Sequence, residues 1–399
     1  MDNTVLVLNR HPYDWLFDGE RCLFPMDIAR PLLVTNFYGV TGHQPALFPE
    51  TMICDFLDDG QIDAVVEWLH HEHKLSRVIA LHEKSLLHAA ALRSRLGIPG
   101  MPYETALLFR DKVAMKTAVR QARVRVPQFK PVDSAADLVA PAWPEGARKV
   151  LKSRYGVGGD EAYIVDSLAQ ANAAWQRVSP APGRYEIEEY IDGVMYHCDA
   201  VVSDGRVHFA SVCEYFAKPG DFGPGRVGSS VLLPSGPLRD RIIELNAVVL
   251  NTLGMCDGVT HLEVFHTPAD ELVFCEVAAR PGGGGIDRIN VLAYGVHLVE
   301  AALRLEAGGE LIDLPRPPSP DTIYGTIGFY PDPGNPGGIE SHRFAELGIA
   351  EHEHYDYAGI VDGNPRHCTD YVDRYVLAAP DRPEFRRRFE AIRQEYIRH

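Results

Sequence analysis

Two short segments, 260–266 and 271–277, constrain the fold of this chain more than any other feature. Both have the composition of β-strands, and a Pro-Ala-Asp turn separates them, which is the pattern of a β-hairpin. Glu263 lies on the first strand and Glu276 on the second, 276 minus 263 or 13 residues later. Across a tight turn, both carboxylates could face one cleft.

Paired carboxylates of this kind suit Mg²⁺, which takes oxygen ligands and completes its shell with water and phosphate oxygens. Arg280, beside a run of glycines, could reach a phosphoryl group or an oxyanion held there. The hairpin alone leaves a second interpretation open, in which Glu263 and Glu276 are solvent-facing acids on an amphipathic surface.

The size and charge of the chain indicate a globular enzyme rather than a nucleic-acid-binding protein. Its 399 residues predict two or three packed units, and 46% hydrophobic with 24% charged residues is a globular composition. Lys plus Arg is 39 and Asp plus Glu is 55, which gives a net charge of -16 and repels nucleic acid at long range. Local cations and Mg²⁺ could still hold a small anion such as ATP.

The cysteine pattern and the apolar runs predict a reduced, cytoplasmic protein without a membrane partner. The seven cysteines are odd in number and contain no CxxC pair. No signal peptide and no apolar stretch of about 18 residues is evident. Histidines cluster at 70, 71, 73 and at 352, 354, but neither cluster has zinc-ligand spacing, and no hydrolase signature occurs.

The N-terminal part alternates short apolar runs with helical spacing, which predicts a parallel βαβ-type sheet. The remaining elements follow from the same periodicities. Predicted strands are 5–8, 32–34, 78–81, 149–153, 184–202, 206–215, 260–266 and 271–277; predicted helices are 62–69, 82–96, one from Asp111, 237–253, 291–306 and 383–398. The proline-rich stretch 314–320 is a predicted boundary before a last unit.

Two lysines could supply the cationic side of a phosphate site. Lys112 opens a predicted helix, and Lys152 lies in an apolar strand, where a charge is costly unless it has a partner. A surface position for Lys112 and an edge-strand position for Lys152 are the plainer alternatives.

The glycine turn 155–159 follows the strand that carries Lys152. It lacks a Walker signature, but Gly158 and Gly159 would let backbone N–H groups approach a phosphate, as in a flap over a nucleotide. A GxGxxG match at 223–228 is rejected as a dinucleotide fingerprint because a strand follows it where a helix should begin.

A loop over 214–230 could contact an anionic substrate through Lys218 and Arg226, although a plain surface loop is equally compatible with the sequence. Arg288 is a third predicted substrate residue. The acidic run 186–189 could contact an adenine amino group, or it could be exposed carboxylates.

Five segments in order resemble the ATP-grasp superfamily, in particular its carboxylate–amine ligases and L-amino acid ligases. They are RDKVAMK (110–116), VLKSRYGVGG (150–159), EIEEYIDGVMYHCD (186–199), THLEVF (260–265) and FCEVAARPGGGG (274–285). The likeness covers roughly residues 1–310.

This resemblance implies a fold and a set of roles. The expected fold is α/β and α+β: an N-terminal parallel-sheet domain (1–110), a small lid subdomain (111–185), a large subdomain with the metal site (186–310) and a C-terminal α+β extension (311–399). Implied roles are phosphate binding by Lys112 and Lys152, adenine contacts from Glu188, Glu189 and Ile191, Mg²⁺ binding by Glu263 and Glu276, and stabilisation of the acyl-phosphate step by Arg280. The implied reaction activates a carboxylate with ATP and joins it to an amine, releasing ADP and phosphate.

Two positions depart from the usual ATP-grasp pattern. Met195 stands where many members have a ribose-binding glutamate, and Ala278 where many have an asparagine metal ligand; the L-amino acid ligases resemble this chain at the second position. An ATP-grasp phosphotransferase with a stable product and an inactive ATP-binding regulatory module are the alternatives. The sequence also leaves open a homodimer and the role of the last ~90 residues.

Overall fold

A computed structural model describes most of the chain. The described residues are 3–40, 42–138, 147–159, 161–178, 182–217, 223–311, 314, 321–332, 337–355, 365 and 367–396. Within them, none of the helices has the length and the apolar run needed to cross a bilayer.

The N-terminal part contains a four-stranded parallel sheet in the order β5-β4-β1-β6, as its sequence rhythm predicts. Helix α1 begins after Asp58, whose carboxylate caps the backbone of Gln61, and helix α2 ends at Gly97 in the left-handed conformation. The elements are β1 (Thr4–Asn9), β2 (Phe17–Asp18), β3 (Arg21–Cys22), β4 (Arg30–Thr35), β5 (Thr51–Ile53), α1 (Asp59–His73), β6 (Arg77–Ile79) and α2 (Leu86–Leu96).

A small antiparallel sheet follows, in the order β7-β10-β8-β9, with one helix against it. Helix α4 starts directly after Asp111, whose side chain accepts from the backbone of Val113 and Ala114. The elements are α3 (Tyr103–Leu108), α4 (Lys112–Gln121), β7 (Phe129–Val132), β8 (Lys149–Ser153), β9 (Ala162–Val165), α5 (Leu168–Arg177) and β10 (Tyr185–Glu189).

The largest sheet is antiparallel and begins with the predicted hairpin. Its strands lie in the order 272–278, 258–266, 194–203, 206–215, 230–232, 323–329, 373–379 and 349–354, and the short strand 227–228 pairs with 323–329. The elements up to residue 306 are β11 (Val194–Ser203), β12 (Arg206–Tyr215), β13 (Val227–Gly228), β14 (Ser230–Leu232), α6 (Pro237–Leu253), β15 (Gly258–His266), β16 (Leu272–Ala278), α7 (Ile286–Tyr294) and α8 (Leu298–Glu306).

The C-terminal strands continue this same sheet, because β17 pairs with β14 and then with β19. The elements are β17 (Ile323–Phe329), α9 (Phe344–Leu347), β18 (Ile349–His354), β19 (Asp373–Ala379) and α10 (Arg382–Tyr396). We retain the domain boundaries after 110, 185 and 310 as a proposal, with the addition that the last unit shares its sheet with the one before it.

Two predicted helices and one predicted strand differ from the structure. The strand predicted over 184–202 is two strands, β10 and β11, which belong to different sheets. The helix predicted over 291–306 is two helices, because Gly295 adopts φ 68° and ends α7 before α8 begins at Leu298. The helix predicted over 82–96 starts as α2 only at Leu86, and a short 3₁₀ turn (Glu83–Ser85) precedes it.

Both faces of the large sheet are covered. One face packs on α4 and α6, through side chains such as Leu262 and Val264. The other packs on α7, α8 and the N-terminal sheet. Glu83, just beyond the carboxyl end of β6, contacts Arg280, which follows β16. Ligands of open parallel sheets are commonly bound at this end of the strands.

Candidate functional site

Glu263 and Glu276 are direct cross-strand partners on β15 and β16. Paired positions in an antiparallel sheet place their side chains on the same face. The side chains are 17% and 27% exposed, so each is sheltered but open to a ligand. Two adjacent carboxylates are an oxygen-only donor set, and this set fits Mg²⁺.

The structure brings Lys112 and Lys152 to this carboxylate pair. Lys112 Nζ lies 3.4 Å and Lys152 Nζ 3.8 Å from Glu276 Oε2. Both lysines are buried, the first at the start of α4 and the second on β8. Residues that are far apart in sequence therefore form one charged cluster.

Further buried charged side chains surround Lys152. Its Nζ lies 2.7 Å from Glu188 Oε1, and Glu188 in turn contacts Lys116. Glu186, two residues along the same strand, binds Lys116 Nζ over 2.6 Å. Burial alone would raise the pKa of Glu188, but the ammonium groups of Lys116 and Lys152 lower it to about 2.

The sequence analysis named Glu186 only within the acidic run 186–189, and it did not single out Lys116 or pair the two. The signal was available, because alternate residues on a strand share a face and Glu186 must point the same way as Glu188. Lys116 follows Lys112 by one helical turn. Both side chains are fully buried, which is costly for a charge without a partner.

Glu189 and Ile191 lie apart from this cluster. Glu189 points to the opposite face of β10, where its carboxylate binds Arg125 Nη2 at 2.9 Å and accepts from the backbone N–H of Gln128 at 3.0 Å. Ile191 is buried just after the end of the strand. Adenine contacts from these residues remain a prediction.

Arg280 is held by a buried carboxylate, Glu83, from the N-terminal part. Arg280 Nε and Nη2 lie 2.9 and 2.8 Å from Glu83 Oε2, and Arg110 Nη1 lies 2.5 Å from Oε1. Burial opposes ionisation of Glu83, but the charges of Arg280 and Arg110 hold its pKa below the ordinary value. Glu83 was not predicted, although its place just beyond a parallel strand indicates a cleft residue.

The glycine turn is tied to the same cluster. Lys112 Nζ donates to the carbonyl of Gly156 over 2.8 Å, and Arg110 donates to that of Tyr155 over 2.6 Å. Gly158 and Gly159 have φ values of 64° and 79°, which side chains rarely adopt. A Cβ at Gly158 would lie 2.2 Å from His367 Nε2, so this position also has no space for a side chain.

Of the three predicted substrate residues, the structure describes two. Lys218 lies outside the described residues, and Arg226 is exposed in the turn after 223. Arg288 binds Glu351 at 2.9 and 2.5 Å and Asp18 at 2.8 Å. Its guanidinium therefore joins α7 to β18 and to the N-terminal part.

The two departures from the ATP-grasp pattern occupy defined places. Ala278 is the cross-strand partner of His261, and Met195 that of Phe265. Ala278 has no side-chain oxygen, so its side chain cannot be a metal ligand.

The chain is similar in sequence to a known ligase and in structure to several solved proteins. The chain is 29% identical over 340 residues to an L-arginine-specific L-amino acid ligase of Bacillus subtilis, covering 81% of this chain and 79% of that protein. No protein-family model matches it.

Solved structures agree over nearly the full length. An L-amino acid ligase from Bacillus licheniformis superposes with a TM-score of 0.72 at 17% identity, covering 98% of this chain and 97% of that one. The biotin carboxylase domain of a 2-oxoglutarate carboxylase from Hydrogenobacter thermophilus, solved with MgADP and bicarbonate, gives 0.71 at 16% identity, covering 99% and 90%.

Proposed function

We propose that this chain, which has the ATP-grasp fold and resembles carboxylate–amine ligases, is a magnesium- and ATP-dependent ligase that joins an amino acid or peptide-like acid to an amine. The carboxylate is activated as an acyl phosphate, and the amine then attacks it, so that ADP and phosphate are released. The observation that carries the proposal is the approach of Lys112 and Lys152 to Glu276, the direct partner of Glu263.

The charges of the cluster support a metal-dependent reaction. Three buried lysines (112, 116 and 152) lie among three glutamates (186, 188 and 276), so these lysines have little positive charge to spare for a triphosphate. Mg²⁺ held by Glu263 and Glu276 would supply the positive charge that triphosphate requires. In this proposal Lys112 and Lys152 would bind the phosphate oxygens, and the glycine turn would cover them.

Arg280 is the residue we assign to the acyl-phosphate step. Glu83 binds its Nε and Nη2, and Nη1 donates to the carbonyl of Pro281 over 2.9 Å. A guanidinium fixed before the reaction stabilises developing negative charge without reorganising. The acid and the amine are expected to meet near Arg280.

The test is ADP and phosphate release across a matrix of amino acids as acid and amine, with L-arginine included because the Bacillus subtilis relative is named for it. A ligase releases ADP and inorganic phosphate together only when both substrates are present. ADP without phosphate would indicate a phosphotransferase instead. Release that no member of a broad panel stimulates would contradict the proposal.

A further inference from the structure

The carboxylate of Glu263 is held through one of its two oxygens. The Tyr215 hydroxyl donates to Glu263 Oε1 over 2.6 Å, and His261 Nε2 lies 3.5 Å from the same oxygen. Tyr215 and His261 are also 3.1 Å apart. Within the described part of the chain, Oε2 of Glu263 makes no hydrogen bond, so it is the oxygen left for a ligand.

His261 is itself held from behind. Its Nδ1 lies 2.8 Å from Asp199 Oδ1, and Asp199 Oδ2 lies 2.6 Å from His197 Nδ1. His197 Nε2 contacts the Ser230 hydroxyl at 3.0 Å. Asp199 and His197 are fully buried, so the contacts extend from the Glu263 carboxylate into the middle of the large sheet.

Strand register explains why these polar groups meet. Asp199 is the cross-strand partner of His261, and His197 that of Glu263. Alternate residues on each strand share a face, so the four side chains form two adjacent polar rows. The intervening residues, such as Leu262, belong to the apolar core on the other face.

His197, Asp199 and His261 could also be considered as metal ligands, since their ligand atoms lie within 4.8 Å of one another. Their N···O separations of 2.6 and 2.8 Å are hydrogen-bond lengths. Two atoms bound tetrahedrally at roughly 2.0–2.2 Å from one ion lie over about 3 Å apart. The three side chains are therefore hydrogen-bonded to one another, rather than arranged around a metal ion.

We propose that Tyr215, His261 and Asp199 are positioning residues that fix Glu263 so that its second oxygen faces the metal ion. The inference rests on the proposed function, in which Glu263 holds Mg²⁺. Groups that orient a metal-binding side chain commonly change metal affinity by about 10- to 100-fold when they are removed. An unsupported glutamate would have to be ordered by the metal itself.

The test measures Mn²⁺ binding in the presence of ADP by electron paramagnetic resonance. Tyr215→Phe removes only the hydroxyl that donates to Glu263, and we expect it to weaken Mn²⁺ binding by about 10-fold or more. Affinity for metal-free ADP and the melting temperature should stay near wild type. The matched control is Tyr294→Phe, since the buried Tyr294 hydroxyl has no hydrogen-bond partner among the described residues.

His261→Gln is a second variant, which tests the inference independently if Tyr215→Phe does not fold. It should also weaken Mn²⁺ binding. The inference is overturned if both variants bind Mn²⁺ as tightly as wild type while Glu263→Gln does not. The binding measurement needs no turnover, so weakened Mn²⁺ binding in the variants supports the positioning role even if the protein joins no acid to an amine. A lack of ligase activity would contradict only the proposed reaction.

Discussion

Among single residues, Glu276 is central to the proposed metal site, because it contacts Lys112 and Lys152 and pairs with Glu263. Glu276→Gln keeps the shape of the side chain but removes the charge, so we expect nucleotide turnover to fall by at least about 100-fold. The matched control is Glu271→Gln, on the same hairpin but exposed at the turn, which should keep wild-type turnover. Steady-state ADP release at several Mg²⁺ concentrations measures both, and equal rates for the two variants would contradict the metal assignment.

Two histidines near Arg280 predict a dependence of stability on pH. Burial, together with neighbouring charges that include Arg280, lowers the pKa of His11 to about 4 and that of His82 to about 2. The unfolded chain takes up these protons near pH 6.5, whereas the folded chain does not. Stability is therefore fully present above pH 6.5 and is lost as the pH falls toward 4.

His82→Asn isolates this effect, because asparagine can still accept the hydrogen bond that His82 Nδ1 accepts from the backbone of Lys84. We expect the loss of unfolding free energy between pH 7 and pH 5 to shrink by about 1–2 kcal/mol in the variant. Urea unfolding at the two pH values measures it. His71→Asn, whose side chain is 79% exposed, is the control and should not change the loss.

At the scale of elements, the glycine turn after β8 gives the clearest prediction. Gly158→Ala should weaken ATP binding and raise the KM for ATP, because a Cβ there meets His367 and a φ of 64° is strained for alanine. Gly183→Ala is the matched control, since Gly183 has a φ of 77° but nothing within 4 Å of its Cβ position. An unchanged KM for ATP in Gly158→Ala would show that the turn does not cover the nucleotide.

Elements were predicted well where their periodicity is strong. Strand 149–153 and helix 237–253 have the predicted bounds, and the β-hairpin is in place. The prediction of a single helix over 291–306 was wrong, because the apolar spacing continues across Gly295, where the helix ends.

Glu83, Tyr215 and Asp199 were missed because their partners come from distant segments, and only the fold brings them together. His197 and Asp199 are two residues apart on one strand, so their spacing could have indicated that one face of that strand is polar.

At the scale of the whole molecule, Arg288 joins α7 to the N-terminal part and to β18 through Asp18 and Glu351. Arg288→Ala should lower the free energy of unfolding by about 1–3 kcal/mol, because two carboxylates lose a partly buried partner. Arg387→Ala is the control, since Arg387 is 63% exposed and forms its ion pair with Glu384 of the same helix. Thermal unfolding measures the stability of both variants. If Arg288→Ala is as stable as wild type but has a raised KM for an acid or amine, the result would support the predicted role of Arg288 in substrate binding.

We propose that the protein transfers a phosphoryl group from ATP to a carboxylate and so forms an acyl phosphate. Hydroxylamine tests this directly, because it captures an acyl phosphate as a hydroxamate without the natural amine. With a panel of amino acids, we predict hydroxamate formation that requires ATP, Mg²⁺ and one class of acid, and that Glu276→Gln abolishes. ATP consumption with an acid in the panel but without any hydroxamate would contradict the account.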